Sequence, residues 1–248
     1  MRRPSPVRRS RPRCDGYGGM CVAVLGAPFT LVACMTVVAQ PHVAAADLVV
    51  EPINTAVYDC ARPDGTEFEF TIRRGAGEIA LWLPFEFNRP YLVLSEVFDG
   101  AASTGTFRES DVSVAPAERD AALTVGSQRF TGCAYDRVRS IWEHAKLSGG
   151  DFRASGEEPA WYLELRREDR LEFRTADPEH SLRVPWAEIE QHTIATGVTY
   201  LYGAGPRAVE VVIDLTACDV PDGLAVRGSR VTVTVDGMVF DGCGRALH

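Results

Sequence analysis

The sequence predicts an all-β protein: a small antiparallel β-barrel, then a second β-rich domain, joined by a short helical linker. Three features carry that prediction. Short segments that alternate apolar and polar residues, or are rich in β-branched ones, recur along the chain and are parted by Gly, Pro, Asn and Asp. Two Asp-Gly pairs, Asp64-Gly65 and Asp236-Gly237, sit between such segments, where the glycine accepts the positive φ that closes a hairpin. Only residues 136–147 carry a helical period, with Val138, Ile141, Trp142 and Ala145 on one face before Gly149-Gly150 stops it.

The first block, residues 47–135, contains AVYDC, TEFEFTIRR, EIALWL, YLVLSEV, DVSVA, DAALTV and QRFTGCAY. A period of two over such lengths turns one face to a core and leaves the other to solvent. Residues 136–150 form the connector. The second block, 151–248, returns to strands in AWYLELRRE, RLEFRTA, GVTYLYG, AVEVVIDLTAC and SRVTVTVDGMVFDGC. No long period repeats, which excludes a solenoid or propeller.

Residues 1–46 read as an export leader. Six arginines in MRRPSPVRRSRPRC precede the uncharged stretch 18–39, and Ala44-Ala45-Ala46 then offers small residues for cleavage. The same stretch is long enough to serve instead as a bilayer-spanning anchor. Leu31-Val32-Ala33-Cys34 also matches a lipobox, in which Cys34 would be acylated and tether the chain to the outer membrane. Under each reading the chain is exported, to the periplasm or to a membrane surface facing it.

Export makes the cysteines informative. Cys14, Cys21 and Cys34 lie in the leader, leaving Cys60, Cys133, Cys218 and Cys243 in an oxidising compartment. Four cysteines allow three pairings. The segment YDRVRSIWEHAKLSGGD parts the first two from the last two, so Cys60–Cys133 and Cys218–Cys243 keep each bond inside its own domain. No C-x-x-C or H-x-x-x-H spacing supports a zinc site, and no cofactor is expected.

Charge and motifs narrow the function classes. The formal charge is −8, and because the first 46 residues hold six arginines and one aspartate, the remainder stands at −13. Such a surface repels nucleic acid and anionic lipid and favours a basic protein partner, though solubility alone would also account for it. The hydrolase patterns G-x-S-x-G, S-x-x-K and H-E-x-x-H are absent. His144, His180 and His192 stand apart along the chain, and Trp82, Trp161, Trp186, Tyr200 and Tyr202 read as core or strand-face aromatics. No enzymatic activity is expected.

The first block resembles the bacterial envelope family of membrane-bound and periplasmic inhibitors of c-type lysozyme. YDCARPDGTEFEFTI, ASTGTF at 102–107 and RDAALTVGSQRFTGC at 119–133 carry the resemblance, bracketed by Cys60 and Cys133. It implies a stapled barrel that presents two loops to the lysozyme cleft. A first-loop serine and a second-loop lysine would reach the enzyme's two catalytic carboxylates, where a hydroxyl and a cation satisfy charges that otherwise act on the sugar. Ser103 matches the serine. Ala115 and Ala117 stand where the family has tryptophan and lysine, which leaves Arg119, or Arg108 in the first loop, as the cation. An arginine fork differs from an ammonium on a flexible stem. Ser103, Arg108 and Arg119 are therefore the expected lysozyme contacts.

The second block resembles an uncharacterised periplasmic domain found beside such inhibitors, through Gly156, Glu158, Pro159, Trp161, Cys218, Asp219, Gly242 and Cys243. That resemblance brings no chemistry with it. Glu157, Glu158 and Asp219 are either a polar binding cluster or solvated turn residues. The expected function is inhibition of c-type lysozyme in the cell envelope. The alternative is an envelope binding module that uses the same scaffold for another ligand, such as peptidoglycan fragments.

Overall fold

The chain reverses at residues 62–66 as the sequence requires. Gly65 has φ +83°, the Asp64 carboxylate accepts from the Thr66 backbone N–H at 2.9 Å and hydroxyl at 2.7 Å, and the Arg62 N–H donates to the Thr66 carbonyl at 2.7 Å. This turn joins β1 (Thr55–Ala61) to β2 (Glu67–Arg74). The computed structural model describes residues 44–48, 52–204, 207–220 and 227–248. Almost all of the expected leader, with Cys14, Cys21 and the lipidation reading of Cys34, lies outside the described residues. Among the described residues no helix is long and apolar enough to cross a membrane.

Six more strands complete a closed barrel: β3 (Glu78–Trp82), β4 (Tyr91–Asp99), β5 (Ala102–Glu109), β6 (Val112–Pro116), β7 (Asp120–Val125) and β8 (Gln128–Asp136). Each pairs antiparallel with the next, and β8 returns to β1 through the register pairs Val57↔Asp136, Tyr58↔Tyr135 and Asp59↔Ala134. This closing ladder is short. The Cys60–Cys133 disulfide crosses the same two strands directly beside it. Alternate residues, among them Phe68, Phe70, Ile72, Leu81, Leu94 and Leu123, point inward and fill the barrel, so its middle is a packed core. Residues 102–107, expected in a loop, lie instead in β5. Their side chains are small and largely exposed until Phe107 turns into the core, so no apolar alternation marks the strand.

The expected helix is α1 (Arg137–Leu147), and its buried residues include Ile141, Trp142 and Ala145, with Val138 packed beside them. Asp136 caps it by accepting from the Arg139 N–H at 2.8 Å. At the other end Gly149, at φ +83°, donates to Lys146 and Gly150 donates to Ala145, the paired bonds that satisfy the last carbonyls. The helix is more than a connector. On the barrel side Ser140 Oγ accepts from the Val57 N–H at 2.8 Å and the Arg73 guanidinium reaches the Leu147 carbonyl. The Arg139 guanidinium bonds Asp136 at 2.7 Å, Glu69 at 2.5 Å and Asp59. On the other side Trp142 and Ala145 pack with Val220, Cys243 and Leu247.

The second sheet contains β9 (Phe152–Glu157), β10 (Ala160–Arg166), β11 (Arg170–Thr175), β12 (Leu182–Pro185), β13 (Glu190–Ile194), β14 (Gly197–Ala204), β15 (Arg207–Asp219), β16 (Arg227–Val235) and β17 (Met238–Ala246). Their spatial order is β12-β11-β10-β9-β17-β16-β15-β14-β13, all antiparallel. The sheet curls until its two halves share one core of Trp161, Leu163, Phe173, Val211 and Val233. Trp186 and Tyr200, from near its opposite edges, come to 5.6 Å between ring centroids. Asp236 and Gly237 both have positive φ in the β16–β17 turn, as a two-residue hairpin requires.

Trp161 is fully buried, and its indole N–H donates to the Asp241 carbonyl at 3.2 Å. Its ring lies over two glycines: a Cβ on Gly156 would fall 2.3 Å from the indole nitrogen, and one on Gly242 would fall 2.5 Å from the six-membered ring. Gly228 is bare for a similar reason, since a Cβ there would meet Sγ of Cys243 at 2.9 Å beneath the Cys218–Cys243 bond. On the outer face of β10–β12 the Glu172 carboxylate accepts from Arg170 at 3.2 Å, Arg174 at 3.1 Å and Arg183 at 2.7 Å.

Gly242→Ala will destabilise the protein by about 1–3 kcal/mol through overpacking. Chemical denaturation measures the loss, and near-UV circular dichroism should report the displaced Trp161. Burial pushes the Glu172 carboxyl up, but its bonds to Arg183, Arg174 and Arg170 outweigh that and hold it below the ordinary 4.5. A depressed carboxyl contributes stability above its unfolded value, and the contribution is lost as pH falls through the folded one. Glu172→Gln should therefore flatten the fall in melting temperature between about pH 5 and pH 3.

Candidate functional site

An up-and-down barrel places alternate turns at the same end. Residues 75–77, 100–101 and 117–119, together with the start of β1 and the exit of β8, gather at one end. Ser103 lies at the start of β5, opposite Phe98 and two residues past the β4–β5 turn. Arg119 is exposed in the β6–β7 turn at the same end, where its carbonyl accepts from the Tyr135 N–H at 3.0 Å. Arg108 is not with them. It stands next to the last residue of β5, about 16 Å along the strand from Ser103 at the usual rise per residue.

The Ser103 hydroxyl already has partners. It donates to the Glu96 carboxylate on β4 and accepts from the Gly105 N–H at 3.1 Å. Ala117, at the lysine position of the resemblance, donates its N–H to the Asp120 carbonyl at 2.8 Å and carries no charge to this end.

Between the start of β1, the end of β2, the β6–β7 turn and the exit of β8 lies a cavity of ≈ 220 Å³, whose lining includes Asn54, Ala56, Tyr58, Arg74, Glu118 and Tyr135. Strand register explains its chemistry. Phe68, Phe70 and Ile72 point inward along β2, and Arg74 is the next residue of that series, so a cation stands where the packed core ends. Tyr58 forms the floor, with ring centroids 5.1 Å from Phe70 and 5.9 Å from Tyr135. Burial pushes the Tyr58 phenol above its ordinary 10.0, and the neighbouring Arg74 guanidinium draws it partly back. Asn54 is held from outside by His144, whose Nδ1 lies 3.1 Å from Oδ1. Arg74 forms no ion pair with a described residue.

Sequence reasoning missed Asn54, Tyr58, Arg74 and Tyr135. The signal was available for Arg74, because FEFTIRR places it in phase with three apolar inward positions.

The other candidates resolve differently. His180 lies 2.9 Å from Asp177 and His192 3.6 Å from Glu190, and no group of three metal-ligating side chains occurs among the described residues. Glu157 accepts from the Ala45 N–H at 3.1 Å, while Asp219 sits in the β15–β16 ladder opposite Arg227. A broader cleft of ≈ 580 Å³ beside Asp151, Arg166 and Arg167 holds charges that already engage one another, as in the Arg167–Asp151 pair at 3.3 Å. Of the residues that carry the second resemblance, Gly156 and Gly242 make room for the Trp161 ring, and the Cys218–Cys243 bond lies in the separate apolar cluster with Trp142.

Comparison of the chain with models of protein families, with curated proteins and with solved structures returns no match. Arg74→Gln should move the Tyr58 phenol further up, because it removes the nearby cation; ultraviolet titration of the tyrosines, with Tyr58→Phe to assign the step, measures it.

Proposed function

We propose that the chain is a non-catalytic inhibitor of c-type lysozyme in the bacterial envelope, and that it meets the enzyme with the barrel end bearing Ser103 and Arg119. The observation that carries this reading is a closed barrel, packed through its middle and stapled between its first and last strands, with two of the three expected contacts, Ser103 and Arg119, at one end. A rigid scaffold with a filled middle can present its turns to a protein partner. Glu96, Asp99, Glu118 and Asp120 surround that end, and an acidic rim steers a basic enzyme toward it. In the bound state the Ser103 hydroxyl would exchange Glu96 for a carboxylate of the enzyme, and Arg119 would supply the charge that Ala117 does not.

Two features favour a second reading, in which the same end binds another envelope ligand such as a peptidoglycan fragment: the Ser103 hydroxyl is engaged by Glu96, and the family lysine is absent.

Titrating the exported, oxidised protein into c-type lysozyme while following muramidase activity separates the readings. The inhibitor reading expects saturable inhibition at micromolar protein that weakens with added salt. Ser103→Ala should then weaken inhibition by about tenfold, the effect of losing one hydrogen bond to a charged group. Undiminished lysozyme activity at micromolar protein transfers the assignment to the second reading.

A further inference from the structure

We infer that the barrel mouth is a binding site for a small zwitterion, an amino acid or short peptide whose carboxylate sits on Arg74. The inference goes beyond lysozyme inhibition and does not depend on it.

Arg74 lines the cavity at its exposed rim and pairs with no described carboxylate, although Glu118 lines the same space. Its guanidinium offers a planar fork of N–H donors matched to a carboxylate. Tyr58 and Tyr135 provide aromatic walls and a hydroxyl beside it, and Asn54 adds an amide fixed by His144. The opposing wall decides the class of ligand. Glu118 lines the cavity from the β6–β7 turn, and Asp120 lies close enough to act on the Tyr58 phenol. Those carboxylates disfavour a bare anion and suit a ligand that also brings an ammonium group. At ≈ 220 Å³ the cavity is smaller than the ~300–1,000 Å³ pockets of drug-sized ligands, which matches a molecule of one or two residues. The core below Tyr58 is filled, so the ligand enters and leaves by the mouth alone.

Nuclear magnetic resonance of the whole exported protein, labelled with ¹⁵N, tests this with alanyl-alanine as the probe and alanyl-alanine amide as its uncharged-end control. The expected result is saturable movement of the Arg74 Nε–H signal and of the Tyr58 and Tyr135 rings at millimolar dipeptide, with the amide about tenfold weaker or worse. Arg74→Gln should abolish the response while the backbone signals of β1 and β8 stay in place, and Arg74→Lys should restore part of it. Absence of movement at these residues, an equal response to the amide, or unchanged binding by folded Arg74→Gln protein would each overturn the inference.

Discussion

The fold depends on a short seam. Three register pairs join β1 to β8, and a sheet that curls into a barrel gains its closed, edge-free core only if that last pairing holds. The sequence secures the seam from three sides. Cys60–Cys133 crosses it within the barrel, where the closed loop spans a separation of 73 residues and the constraint on the unfolded chain is correspondingly large. Outside, Arg139 binds Asp59 of β1, Asp136 at the end of β8 and Glu69 of β2. Burial works against the Arg139 charge, yet its bonds to Asp136 and Asp59 win and hold its pKa above the ordinary value. Ser140 adds a bond to Val57.

The seam also sets what lies at either end of it. Tyr58 and Tyr135 face each other across its register, Arg74 comes from the strand next to it, and together they form the mouth. Helix α1 begins where β8 ends, so the contacts that fix the seam also fix the direction in which the chain leaves the barrel. Trp142 and Ala145 then pack against Val220, Cys243 and Leu247 of the second half. Residues 43–248 form one compact unit as a result. The two disulfides have different settings: one braces the mouth-bearing barrel, the other lies in the apolar cluster that receives α1.

Much of this architecture was legible in the residues. Alternation located most of the strands, both Asp-Gly turns occur where they were expected, the helix buries the expected face, and the two cysteine pairs form within their own β units. What was hidden had no periodic signal. β5 is built largely of small exposed residues, and β13 is an edge strand exposed along its whole length, so neither carries an apolar face. β9 contains Gly156, whose reason is the Trp161 ring brought to it by the neighbouring hairpin strand. The cavity at the barrel end was less legible, since none of Ser103, Arg108 and Arg119 is among its lining residues. Motif matching led to Ser103 and Arg119, and register reading of β2 would have led to Arg74. Asn54 and Tyr135 belong to the site only once β1 and β8 are joined, a contact between distant parts of the chain that no local pattern encodes.

Hydrogen exchange at the seam is the most direct measurement of this account, made on the oxidised protein and on the Cys60→Ser, Cys133→Ser double variant under the same conditions. If the seam governs the barrel and its mouth, the backbone amides of Val57, Tyr58 and Tyr135 lose protection first in the variant, and those of β16 and β17 keep theirs. Equal loss across both halves, or protection at the seam unchanged without the disulfide, would contradict it.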